Sequence, residues 1–91
     1  SVLSDRFEKA LDLEINSVPD GYVVYQGKRD HVHYLNSVAS VIFELCDGDH
    51  TLDDIGGILK AAYELDHVPA EDVKASLERL FEEGLIVPCP A

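Results

Sequence analysis

The hydrophobic period of this chain changes at Asn36, and that change restricts the folds it can adopt. From Leu11 to Leu35 the apolar residues read as strands; from Val38 to Phe81 they recur at helical spacing. Leu11, Leu13 and Ile15 alternate with Asp12, Glu14 and Asn16, the period-two mark of a half-buried strand. Tyr22-Val23-Val24-Tyr25 is β-branched and aromatic, which predicts a second strand. His31 to Leu35 is the third. Pro19-Asp20-Gly21 and Gly27-Lys28-Arg29-Asp30 supply the turns, Pro by fixing one dihedral and Gly by accepting positive φ.

Behind Asn36 the signals are helical. Asn36 or Ser37 can cap the first helix by accepting from an orphan backbone N–H. Val38, Ala39, Ile42, Phe43, Leu45 and Cys46 then form an apolar stripe, and Gly48 is the expected end. Thr51 with Asp54 is an imperfect capping box, Asp standing where Glu is usual. Ile55, Ile58, Leu59, Ala62 and Tyr63 make the face of the second helix. Its Gly56-Gly57 pair costs roughly 1 kcal/mol per glycine against alanine, and marks either close packing of another backbone or a weak spot. Val68-Pro69-Ala70 opens a third helix with Pro in its first turn. Val73, Leu77, Leu80 and Phe81 recur along one face, and Gly84 terminates it.

Three strands followed by three helices specify an α+β domain. The order is winged helix-turn-helix-like: a three-stranded antiparallel sheet, three helices and a small terminal strand at Leu85-Ile86-Val87. At 91 residues the chain is one domain. Residues 11–87 form it. Residues 1–10, where Leu3, Phe7, Ala10 and Leu11 have helical spacing, are an N-terminal tail or a short helix. Residues 88–91 are a C-terminal tail that begins where Pro88 stops the ordered chain.

Charge disfavours one class of partner. The net charge is -11. Residues 1–43 carry six acids against four bases, and residues 44–91 carry twelve against three, so -9 falls on the helical half. A phosphate backbone requires the opposite sign. The serious structural rival, a winged-helix DNA-binding or transcriptional module, would read bases with a helix over about 70–83. Its exposed positions include Asp72, Lys74, Ser76, Glu78, Arg79, Glu82 and Glu83, an acidic surface with no Asn or Gln for base readout.

Other chemistries are weakly supported. His31 and His33 share one strand face, but no third ligand is near in sequence and imidazole metal sites want three or four. Cys46 and Cys89 are too far apart for a zinc motif or a disulfide framework. Cys46 falls on an apolar helical face and is a buried small hydrophobe; Cys89, between two prolines, is a free thiol with no activating base. Ser37 is better explained as a cap than as a nucleophile. No catalytic residue, metal or cofactor is expected. No stretch approaches the roughly 18 apolar residues of a membrane span, and the N-terminus lacks a signal-peptide h-region. A cytoplasmic protein is the expectation.

One positive physical signal remains. In a three-stranded sheet some strand lies at an edge, with a row of unpaired N–H and C=O groups. His31-Val32-His33-Tyr34-Leu35 contains neither Pro nor Lys to blunt it. An extended peptide can add to such an edge as a further strand. A second copy of the chain could do the same, giving a homodimer.

The ordered set Leu35-Asn36, Ala39 with Ile42, Leu45-Cys46-Asp47-Gly48, Thr51 with Ile55, then Val73, Leu77, Leu80 and Gly84-Leu85-Ile86 resembles the PqqD-like family, also called RiPP recognition elements. The resemblance spans about residues 22–87; the Gly56-Gly57 pair and the His-rich third strand depart from it. It implies a non-catalytic peptide chaperone that binds the leader of a ribosomally made precursor peptide and presents it to a modifying enzyme. Partners of this kind are radical SAM enzymes, as in pyrroloquinoline quinone biosynthesis, or leader peptidases, as in lasso peptide biosynthesis. The leader would lie between the third strand and the third helix, antiparallel to the strand. Carried onto this chain, His31, Val32, His33, Tyr34 and Leu35 would supply backbone bonds. Val73, Lys74, Leu77, Glu78 and Phe81 are candidates for the helical wall, Leu77 and Phe81 being also candidates for the core.

Overall fold

The computed structural model describes residues 5–27 and 30–89. In chain order these form β1 (Arg6–Lys9), β2 (Leu13–Val18), β3 (Gly21–Gln26), β4 (His31–Asn36), α1 (Ser37–Glu44), β5 (Asp47–Thr51), α2 (Leu52–Ala62), α3 (Ala70–Glu82) and β6 (Ile86–Pro88). The predicted antiparallel sheet is present, in the order β2-β3-β4. A second antiparallel sheet, β5-β1-β6, joins three segments that are distant in sequence.

That second sheet corrects three expectations. Arg6–Lys9 is a strand, neither tail nor helix; Phe7 is 3% exposed while its neighbours face outward. Four residues with one buried side chain carry too little pattern to be read before their partners are known. Pro88 belongs to β6, and the chain stays paired at Cys89, whose N–H donates to the Arg6 carbonyl. The first helix ends at Glu44, capped at Leu45, and Gly48 lies within β5. Residues 1–4 and 90–91 of the expected tails, and Lys28-Arg29 of the hairpin turn, lie outside the described residues.

Local chemistry explains the helix ends. Asn36 Oδ1 accepts from the Ala39 N–H at 2.9 Å and starts α1. Thr51 and Asp54 form the reciprocal box, at 3.1 and 3.0 Å. Pro69 is the residue before α3, one position earlier than expected, and it offers no side-chain cap. Gly84, at φ +78°, closes α3: Leu85 N–H returns to the Leu80 carbonyl and Gly84 N–H to that of Phe81. Lys9 ties β1 to the end of α1, donating to the carbonyls of Glu44 and Cys46 while lying over the Phe43 ring.

The core sits between the β2-β3-β4 sheet and the helices. Phe43, Ile42, Ile55, Leu85, Ile86, Val24, Val73 and Cys46 are its largest fully buried side chains. Gly56 packs closely, as one reading of the glycine pair required, but on the Val68 side chain instead of a backbone; Gly57 has open space around it.

Candidate functional site

The register of the first sheet decides which groups β4 leaves free. Val18 and Gly21 flank a two-residue turn, so they form a hydrogen-bonded pair, and bonded pairs then alternate along the hairpin. Gly21, Val23 and Tyr25 bond to β2; Tyr22, Val24 and Gln26 bond to β4. Their partners on β4 are Leu35, His33 and His31. The backbone groups of Val32 and Tyr34 therefore point away from the sheet, along an edge that pairs with no described strand. Of the five predicted edge residues, two can supply outward backbone bonds and three already bond to β3.

The other edges are less available. β5 carries Asp47 and Asp49, β6 contains Pro88, and β2 carries Glu14 and ends before Pro19. Charges and proline are common ways of blunting a strand edge.

A groove of about 340 Å³ runs beside the β4 edge. Its strand side is Tyr34, Leu35 and Asn36; Val38 and Ala39 of α1 close one end; Ser76, Arg79, Leu80 and Glu83 of α3 form the far wall. The sheet face toward the helices holds Leu35, buried, and His33, half-buried; Val32 and Tyr34 project from the opposite face and are 64% and 56% exposed.

At the other end of the groove a polar network joins three elements. Gln26, 7% exposed, donates from Nε2 to the carbonyls of Glu83 and Gly84 at 3.0 and 3.1 Å. It thereby satisfies carbonyls left open at the end of α3. Its Oε1 is left to accept, at 2.9 Å from His33 Nε2, which places a proton on that nitrogen. His33 Nδ1 lies 3.3 Å from Glu83 Oε1, and Glu83 Oε2 accepts from Arg79 Nε at 3.3 Å. His31 meets His33 edge-on, with ring centroids 6.1 Å apart. Ser40 donates to the Leu35 carbonyl at 3.1 Å and anchors the other end of β4 to α1.

The helical wall differs from the one expected. Val73 and Leu77 are buried in the core, at 0% and 2% exposure. Lys74, Glu78 and Phe81 are exposed and do not line the groove. At about 100° of rotation per residue they point roughly 150° or more away from the centre of the Ser76–Arg79–Leu80–Glu83 face. The buried stripe of α3 has two flanks, and β4 lies along the one that sequence reasoning passed over. The Arg79–Glu83 spacing of four was the available signal.

Elsewhere the chemistry is quiet. Among the described residues no group of three His, Cys, Asp or Glu side chains could hold a metal ion. Burial pushes the Cys46 thiol up to about 12. No helix is long and apolar enough to cross a membrane.

The model of one protein family, coenzyme PQQ synthesis protein D (PqqD), matches residues 21–86. The chain belongs to the PqqD family. The match covers all of β3 and β4, the three helices and the start of β6. None of the curated proteins matches in sequence. Among solved structures, a lasso peptide synthetase B1 complexed with the leader peptide superposes at TM-score 0.78, with 24% identity over 91% of this PqqD chain and 99% of that one. TbiB1 in complex with the TbiA(beta) leader peptide gives 0.78 and 19%, over 92% and 99%. The heterocyclase TruD gives 0.67 and 19% over 92% of this chain but 11% of its own. The fold thus occurs both as a whole chain and as a small part of a larger enzyme.

Proposed function

We propose that this PqqD-family domain is non-catalytic and binds the leader of a ribosomally made precursor peptide by strand addition to β4, presenting it to a modifying enzyme. The observation that carries the reading is the pair of outward-facing backbone units at Val32 and Tyr34 beside the groove. An extended peptide can take up to four backbone bonds from them, and alternate side chains then enter the groove. The leader peptides named in the two similar complexes support the same reading. A radical SAM enzyme or a leader peptidase is the partner class proposed, and the cytoplasm is the compartment in which such precursors are made.

The acidic helical half gives the partner enzyme a docking cue. A basic surface on that enzyme, or basic residues in the leader, would meet the -9 of residues 44–91; raising salt should then weaken binding of the enzyme or of the peptide. DNA binding gains no support, because Glu71, Asp72, Glu78 and Glu82 stand exposed on α3.

The test is an NMR titration with the leader of a small precursor encoded beside this protein. Shifts concentrated at the Val32 and Tyr34 amides, with side-chain changes at Leu80 and Arg79, are the expected result. A peptide that binds while leaving both amides unmoved would overturn strand addition. Concentration-dependent shifts at those amides without peptide would instead identify a homodimer through β4.

A further inference from the structure

We propose that the groove selects an extended segment in which a carboxylate stands two residues after an apolar side chain, and that Arg79 reads the carboxylate. This rests on strand addition antiparallel to β4 and adds the order of two side chains to it.

The register supplies the order. Residues of an incoming strand opposite Val32 and Tyr34 exchange backbone bonds with them, and their side chains fall on the open outer face. Residues opposite Leu35 and His33 turn toward α3. In an antiparallel strand the residue facing Leu35 comes first and the one facing His33 comes two later.

The two positions differ in chemistry. Beside Leu35 the groove is walled by Val38, Ala39 and Leu80, and the small Ala39 and Ser76 side chains leave depth. An apolar side chain fits there. Beside His33 stand Glu83 and Arg79. Glu83 Oε2 accepts from Arg79 Nε, and Glu83 Oε1 lies 3.3 Å from His33 Nδ1. Arg79 is 80% exposed, so the outer edge of its guanidinium remains open to solvent. That edge is a planar fork matched to a carboxylate. Among the described groove-lining residues Arg79 is the only Lys or Arg, in a chain of net charge -11. A carboxylate has one favourable place along this groove.

A displayed library of random peptides, panned on the immobilised wild-type domain and on Arg79→Glu, tests the proposal whatever the natural leader is. The wild-type pool should enrich Asp or Glu two residues after an apolar residue. The Arg79→Glu pool should lose that acid or replace it with Lys or Arg. In a selected peptide, changing the acid to its amide should weaken wild-type binding about fivefold and leave Arg79→Gln binding unchanged. Selected peptides that shift the Val32 and Tyr34 amides yet show no acid at that position overturn this inference and leave strand addition standing. Failure to enrich any peptide that shifts those amides overturns both.

Discussion

The carbonyl oxygen of Leu35 occupies the space in which any residue other than glycine at position 21 would carry its Cβ. The β2–β3 turn and the end of β4 are thus locked together by the absence of a side chain. Gly21→Ala must spread β3 from β4 where β4 enters α1. Overpacking of this kind costs about 2 kcal/mol, a fall in Tm on the order of 10 °C for a domain of this size. Thermal melts followed by circular dichroism measure it, and an unchanged Tm would show that the strands do not approach this closely.

The two glycines of α2 should respond differently. Gly57→Ala meets nothing within 4 Å, so it should stabilise the domain by about 0.5–1 kcal/mol through helix propensity. Gly56→Ala places a Cβ 2.6 Å from a Val68 methyl and should forfeit that gain unless Val68 turns aside. Urea midpoints of the two variants give the comparison.

Proline on β4 separates binding from folding. The Val32 N–H faces away from the sheet and the His33 N–H faces β3. Val32→Pro should weaken peptide binding about tenfold, the loss of one backbone bond, while leaving the ladder bonds in place. His33→Pro removes a ladder bond and the His33 side-chain contacts with Gln26 and Glu83 and should lower Tm more. Reversed effects would mean the opposite register.

The Asp47–His50 pair sets a pH window. His50 Nδ1 donates to Asp47 Oδ1 at 2.9 Å. That bond holds His50 above its ordinary 6.5, and with the Asp49 N–H it holds Asp47 below 3.8. The His50 contribution is full below pH 6.5 and is lost as pH rises through its raised value. The Asp47 contribution is present above pH 3.8 and is lost as pH falls through its lowered value. An NMR titration of the His50 ring should give a midpoint above 6.5 that drops in Asp47→Asn.

The two thiols should be distinguishable. Burial holds Cys46 neutral, and its Sγ donates to the Ile42 carbonyl at 3.3 Å. Cys89 is half-buried at the end of β6. A thiol–disulfide exchange reagent at neutral pH should modify Cys89 in the folded protein and both residues after denaturation. Equal rates in the folded state would show that the segment containing Cys46 opens readily.

Much of this architecture was legible in the residues. The period change at Asn36, its cap, the Thr51–Asp54 box and the stop at Gly84 are local signals, set by side chains within four residues of the backbone they satisfy. What was hidden was relational. β1 becomes a strand only through β5 and β6, and β5 only through β1, since Arg6–Lys9 and Asp47–Thr51 carry too few apolar residues to announce themselves. The flank of α3 that faces β4 depends on how helix and sheet are rotated, which periodicity leaves open; hence Lys74, Glu78 and Phe81 were expected where Ser76, Arg79 and Glu83 stand. Gln26, a polar residue in an apolar strand, gave a faint hint of the network only the fold assembles.

The pairing of Phe7 with Pro88 has a consequence for how the domain comes together. Some 80 residues separate the two partners, and closing a loop of that length costs roughly 4 kcal/mol of chain entropy. The β2-β3-β4 hairpins, whose partners are near neighbours, can form before that closure. The sheet built on β1 should therefore be the last part to assemble and the first to open, and amide exchange should find β1 and β6 less protected than β3.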